Sequence, residues 1–243
     1  MTISESRGPN LGLVEGAVLK LLTRAATVVQ SELIAERFRL LTLDGPALRG
    51  ADWLPGQKVQ VQLGGWVSRT YTPLSWDPVA GRAQLLAYAH GEGPGADWAR
   101  TVRVGDGCVL FGPRGSLDLN LLSSPGLLVG DETSLGLAHA LRYSRSGGHG
   151  IELLLEVSDP SRVREVLNKL GLDAQLIEKR ADDAHVASLE LALTRAVQER
   201  SIESAVFSGQ ASSIRALGKH ARTLGLRKFQ SRAYWAPGKK GLD

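Results

Sequence analysis

A chain of 243 residues with 43% hydrophobic and 22% charged side chains, 28 glycines and 10 prolines can bury one or two cores, and it is neither disordered, collagenous nor a coiled coil. Its single cysteine, Cys108, excludes a disulfide framework and any cysteine-ligated zinc or iron–sulfur centre. The formal charge of +4 is unevenly spread: residues 1–122 carry 12 basic and 11 acidic side chains, residues 123–208 carry 9 and 13, and residues 209–243 carry 8 and 1.

That basic C-terminus could serve as an anion-binding patch, a nucleic-acid surface or a solvated face. No nucleic-acid motif accompanies it, so no nucleic-acid partner is expected. The start, Met1 to Gly12, is polar, and no apolar stretch approaches the ~18 residues of a membrane span. The expected setting is therefore soluble and cytoplasmic, with no membrane partner.

The first half reads as strands. Gly16 to Leu22 is apolar, Arg37 to Leu43 and Lys58 to Leu63 alternate, Arg69 to Pro73 is extended, and Gln84 to Ala89 follows a turn at Asp77 to Gly81. Val109 to Gly112 is the last of these six strands. Such spacing predicts a small six-stranded antiparallel barrel, with one short helix over Asp97 to Val102. The composition changes near Ser123 to Gly126. Strands at Leu127 to Val129, Ile151 to Val157, Ala174 to Ile177 and Ala205 to Phe207 then alternate with helices at Thr133 to Tyr143, Ser161 to Leu170, Leu189 to Glu199 and Ser212 to Leu224, and Phe229 to Tyr234 closes in an extended piece. That alternation predicts a parallel α/β layer. The expected domains are a barrel over residues 1–122 and an α/β unit with an aromatic tail over residues 123–243.

Several segments carry residues suited to a nucleotide-like ligand. Arg69 offers a fork of donors for a phosphate, Tyr71 a flat ring, Thr72 a hydroxyl, and Pro73 ends the strand; the plainer reading is a barrel strand with a core aromatic and an exposed arginine. In His90, Gly91, Gly93, Pro94, Ala96, Trp98 and Ala99, glycines would let backbone donors approach a ligand at a helix start, or would form only a flexible turn. Arg114 and Ser116 stand in a glycine loop. Asp131 and Thr133 follow the first α/β strand, which lacks the GxGxxG fingerprint, and either could simply cap the next helix. Gln210 and Arg215 could meet a nicotinamide nucleotide, and Tyr234 and Trp235 precede a Pro-Gly turn where an aromatic could stack, gate or merely anchor the terminus. No HExxH, no GxSxG and no metal-ligand spacing among the five histidines is present, so a motif-borne catalytic group or a metal site is not expected. Cys108 reads as buried rather than nucleophilic, and His139 as a half-exposed helix residue.

Taken in order, these segments resemble the siderophore-interacting protein family, flavin-dependent ferric-siderophore reductases related in fold to the ferredoxin reductases. The resemblance rests on Arg69-Thr70-Tyr71-Thr72-Pro73, Asp77, His90-Gly91 with Gly93-Pro94, Trp98-Ala99, Gly105-Asp106, Gly112-Pro113-Arg114-Gly115-Ser116, Gly130-Asp131-Glu132-Thr133, the Gly209 to Arg215 loop, and Tyr234-Trp235 with Gly238. It implies a Greek-key barrel holding FAD beside an NAD(P)H-type α/β domain. Arg69, Tyr71 and Thr72 would hold the phosphate and isoalloxazine. His90, Gly91 and the Gly93 to Ala99 segment would take the adenine side and pyrophosphate, with Arg114 and Ser116 nearby. It further implies NAD(P)H or ferredoxin as donor, a ferric siderophore as substrate, release of Fe(II), and a monomer. The sequence departs from the family pattern at Leu74, where an arginine is usual, and at Ser208-Gly209-Gln210, where Ala-Gly-Glu is typical. Two other readings remain: a flavin reductase or electron-transfer protein of the same fold acting on another acceptor, and a binding protein without turnover.

Overall fold

The computed structural model describes residues 23–65, 67–144 and 150–239. The strand expected at Gly16 to Leu22 lies outside these residues. Seven strands form one antiparallel sheet: β1 (Thr23–Ile34), β2 (Phe38–Asp44), β3 (Lys58–Gly64), β4 (Val67–Tyr71), β5 (Ser75–Asp77), β6 (Arg82–Tyr88) and β7 (Gly107–Arg114), in the order β4-β3-β7-β1-β2-β6-β5. Among the described residues, two of these seven, β1 and β5, are strands that the sequence does not predict. The twelve-residue β1 escapes sequence reading because its second half, Val29 to Leu33, is largely exposed and has no alternating pattern. The stretch expected over Arg69 to Pro73 ends at Tyr71, and Pro73, which has no N–H to donate to a ladder, splits it from the unpredicted β5.

That split shapes the sheet. β4 and β5 are its two edges, yet only Thr72, Pro73 and Leu74 separate them, so Tyr71 and Ser75 lie at most ~14 Å apart. The sheet must curl until its edges approach, which makes it barrel-like. Val28, Leu41, Leu43, Val59, Val61, Leu85 and Leu110 fill its interior and are essentially inaccessible. The expected turn at Asp77 to Gly81 is present: the Asp77 carboxylate accepts from the backbone N–H of Val79 and Ala80, both at 2.9 Å. Helix α1 (Pro94–Thr101) covers one end.

The second sheet is parallel: β8 (Gly126–Asp131), β9 (Ile151–Val157), β10 (Gln175–Glu178), β11 (Ser204–Gln210) and β12 (Lys228–Trp235), in the order β10-β9-β8-β11-β12. Every residue of β8 is buried, as a central parallel strand with both faces covered requires. Helices α2 (Leu135–Ser144) and α3 (Pro160–Leu170) pack with Leu128, Leu155 and Val206, and the predicted stripe Val163, Val166, Leu167 and Leu170 is buried there. Helices α4 (His185–Glu199) and α5 (Ala211–Thr223) pack with Leu127, Val129 and Phe207. The α2–α3 core also takes in Ile34, Phe38, Leu74 and Leu86 from the first sheet. At the rim, Lys169 meets Glu32 at 2.6 Å and Arg162 pairs with Glu36, joining α3 to the β1–β2 hairpin. The chain leaves β8 toward β9 on one side and returns to β11 on the other, so the strand order reverses between the carboxyl ends of β8 and β11, where ligands of open α/β sheets bind.

Candidate functional site

The seam of the first sheet and the reversal point of the second face one another across a cleft of about 210 Å³. One wall is Ser68 to Thr72, with Lys58, Leu86, Tyr88 and His90. The rim is Glu92, Gly93, Gly95 and Ala96 at the start of α1. The opposite wall is Thr133 and Gly136 with Arg232 to Trp235 and Lys239. Among the described residues, four cationic side chains, Lys58, Arg69, Arg232 and Lys239, line it against the one carboxylate of Glu92, so it favours an anion.

Local chemistry explains each wall. On β4, Arg69 and Tyr71 point to the same side, two residues apart. The Tyr71 ring packs 5.6 Å from Trp98 of α1, and burial pushes its phenol above the ordinary range. α1 starts on Gly93, whose φ of 117° suits only glycine, followed by Pro94 at its first turn. A Cβ on Gly95 would come 2.9 Å from the Arg69 side chain, so the helix start and the guanidinium share one place. Gly136 brings α2 equally close: its Cβ would stand 2.5 Å from the Thr72 carbonyl oxygen.

Beneath the opposite wall lies a buried ionic cluster. The Asp131 carboxylate accepts from Thr133 N–H at 2.8 Å, from the Thr133 hydroxyl at 2.5 Å and from Trp235 Nε1–H at 2.7 Å. Glu132 accepts from Ser158 N–H at 2.5 Å and from Lys179 Nζ at 2.7 Å, while Lys179 Nζ is 4.0 Å from Asp131. Burial raises Asp131 above the usual carboxylate range, against the pull of Lys179 and Thr133. Burial acts on Glu132 too, but the Lys179 ammonium and the Ser158 N–H outweigh it and hold Glu132 low. Burial opposes the charge on Lys179, and the carboxylates overcome it, so its ammonium is held above the usual range. Glu156, bonded to His185 at 3.0 Å and Ser213 at 2.9 Å, is raised by burial.

The two closing aromatics enter the cleft together because β12 carries a bulge. Ala233 pairs with Gly209 and Trp235 with Gln210, so Tyr234 has no partner position in the ladder. The Tyr234 hydroxyl lies 3.4 Å from Thr72 Oγ1, and burial pushes its phenol up to about 12. The Trp235 indole lies 5.5 Å from the His90 ring and 5.5 Å from Lys179 Nζ. Tyr88 lies 5.5 Å beyond His90, and Phe38 4.5 Å beyond Tyr88. Desolvation between these rings lowers His90, with Asp131 and Glu132 opposing.

Of the residues singled out in the sequence, Arg69, Tyr71, Thr72, His90, Gly93, Ala96, Thr133, Tyr234 and Trp235 meet at the cleft. Trp98 backs Tyr71, and Ala99 is buried on the inner face of α1. Pro73, Gly91 and Pro94 sit beside lining residues without lining the cleft themselves, and Asp131 is fully buried behind it. Gln210 ends β11, and Arg215 is exposed on α5, away from the cleft. Leu74 is 2% exposed in the apolar core shared with α2, so packing accounts for it. Sequence reasoning missed Lys58, Tyr88, Arg232 and Lys239, which come from four distant positions, and Lys179, for which no local signal exists. Cys108 is buried, which pushes its thiol up to about 12. His139 is half-buried, with Nδ1 3.3 Å from the Leu74 carbonyl oxygen.

The donor set suits a phosphate-bearing planar group. Among the described residues, Arg114 Nε and Ser116 Oγ are buried without a hydrogen-bond partner. Such atoms cost about 1–3 kcal/mol each unless something completes them. Arg114 pairs in register with Lys58 of the cleft, but neither Arg114 nor Ser116 lines the cleft itself. No group of three or more histidine, cysteine or carboxylate side chains that could hold a metal ion occurs among the described residues, and none of their helices is long and apolar enough to cross a membrane.

Residues 64–117 match the siderophore-interacting FAD-binding domain family. The match spans every residue from Arg69 to Ser116 on which the resemblance in the barrel rests. Solved structures extend the likeness to the rest of the chain. A siderophore utilization protein from T. fusca is 22% identical, with 91% of this chain and 95% of that one covered at a TM-score of 0.72. The siderophore-interacting protein SipS from Aeromonas hydrophila is 21% identical, with coverages of 88% and 98% and a TM-score of 0.68. A ferredoxin NADP+ reductase from Neisseria gonorrhoeae, solved with FAD and NADP, is 11% identical, with coverages of 87% and 98% and a TM-score of 0.66. The shared fold is that of the ferredoxin-reductase-like proteins.

Proposed function

We propose that the chain is an FAD-dependent reductase that takes electrons from NAD(P)H or ferredoxin and delivers them to Fe(III) in a ferric siderophore. The observation that carries this reading is the convergence of Arg69, Tyr71 and Thr72 on a cationic cleft, within the segment that matches an FAD-binding domain family. Arg69 would hold the cofactor's phosphate by its guanidinium fork, with Arg114 Nε and Ser116 Oγ supplying further donors. Tyr71, braced by Trp98, and Thr72 would orient the ring system. The cofactor would supply the relay between a two-electron donor and a one-electron acceptor, so that one NAD(P)H, or two one-electron ferredoxins, would reduce two ferric centres. No side-chain acid or base is needed. The cations of the cleft would draw in an anionic chelate or the phosphates of the donor. In this reading residues 1–122 hold the cofactor, residues 123–243 serve the donor, and the protein acts as a cytoplasmic monomer.

The test is spectroscopic. The purified protein, given FAD without oxygen, should show flavin absorption bands. NADH, NADPH or reduced ferredoxin should bleach them, and a ferric siderophore should restore them while Fe(II) appears under a ferrous-specific chelator. A protein that takes up no FAD overturns the flavin reading. One that bleaches but is reoxidised only by other acceptors removes the siderophore and leaves a general flavin reductase.

A further inference from the structure

Trp235 is held in a way the flavin reading does not require. Its indole N–H reaches a carboxylate that is itself fully buried, at 2.7 Å, and every element around that carboxylate is built to keep it there. Thr133 donates twice to the other oxygen. Gly209, at φ 113°, passes so close that a Cβ there would lie 2.6 Å from the carboxyl group. The bulge at Tyr234 turns Trp235 toward Asp131.

We infer that Asp131 is a positioning residue: it fixes the Trp235 indole as a rigid wall of the cleft, and through that indole it sets how closely a donor or acceptor approaches the bound ring system. Its kinetic consequence rests on the flavin reading; the latch itself does not. Asp131→Asn is the discriminating change. With its oxygen kept on Thr133, the new amide presents N–H to the indole N–H, donor against donor, so the helix start survives while the latch is lost. Trp235→Phe removes the indole donor and keeps an aromatic wall.

The first measurement uses apoprotein carrying 5-fluorotryptophan, with the Trp235 fluorine resonance assigned by its loss in Trp235→Phe. Asp131→Asn should shift and sharpen that resonance alone; an unmoved resonance overturns the latch. The second measurement uses the FAD-loaded enzyme. Asp131→Asn should change the donor or acceptor KM five- to tenfold with kcat within twofold, and in the Trp235→Phe background the same change should have no further effect. A full Asp131→Asn effect in that background overturns the inference, since Asp131 would then act without the indole. If Asp131→Asn does not fold, exchange of the wild-type Trp235 indole proton decides: protection supports the latch and rapid exchange refutes it. Failure of FAD uptake with a shifted fluorine resonance would refute the flavin reading and leave the latch standing.

Discussion

Replacing Gly136 by alanine tests whether α2 and the seam of the first sheet share one fixed spacing. The added Cβ would stand 2.5 Å from the Thr72 carbonyl oxygen, against 3.4 Å for ordinary contact, so helix or seam must yield by about 0.9 Å. A backbone oxygen cannot swing aside as a side chain can. Overpacking of this kind costs ~1–3 kcal/mol. Alanine in a helix recovers up to ~1 kcal/mol over glycine, leaving a net loss of up to ~2 kcal/mol. At ~2–4 °C per kcal/mol for a chain of this size, Tm should fall by up to ~8 °C. Because Thr72 lines the cleft, FAD affinity should fall about tenfold, equivalent to ~1.4 kcal/mol. Denaturant unfolding with flavin titration reads both effects. Gly107→Ala, where an added Cβ meets nothing within 4 Å, should stay within ~0.5 kcal/mol of wild type. A Gly136→Ala protein as stable as wild type, with unchanged FAD affinity, would refute the spacing argument.

Arg69→Ala should weaken FAD by 10- to 100-fold, the ~1.5–3 kcal/mol of a charge-assisted hydrogen bond, with lysine restoring part of it in the same titration. Ser116→Ala should act in opposite directions: it removes a buried hydroxyl without a partner, so the apoprotein should unfold at higher denaturant, while FAD binds several-fold more weakly. Lys179→Met leaves Glu132 buried without its cation and should cost ~3 kcal/mol near pH 8. Glu132 is held low and Lys179 high, so their pairing stabilises the fold above the carboxylate's ordinary 4.5 and below the ammonium's ordinary 10.5. The gap between variant and wild type should therefore narrow as pH falls below 4.5 toward the lower value held in the fold; a gap that widens on acidification would contradict the pairing.

What could be read from the sequence was local. Arg69, Tyr71 and Thr72 are consecutive or nearly so, and strand alternation alone puts Arg69 beside Tyr71. The α3 stripe follows from helical spacing, and it is buried as expected. The α/β alternation from residue 126 onward is legible because the central strands β8, β9 and β11 have apolar cores and the helices between are amphipathic. β1 is not, because half of it faces solvent and the sheet pairing that makes it a strand is supplied by β2 and β7. The ionic cluster was also hidden: Lys179 meets residues 47 and 48 positions earlier, and Trp235 meets Asp131 across 104 positions. Only the strand order β10-β9-β8-β11-β12 brings them together, and nothing in any one segment signals it. Leu74 misled in another way, since a departure from a motif turned out to be a core residue.

The kink at Thr72-Pro73-Leu74 also bears on solubility. An open seven-stranded sheet would offer two rows of backbone donors and acceptors to any other extended chain, the usual starting point of aggregation. Here the edges are strands of five and three residues, turned toward each other by the chain that joins them. Thr72, in this same join, also lines the cleft beside Arg69 and Tyr71. Colloidal safety and ligand recognition are therefore tied to one short length of chain, and neither can drift without the other.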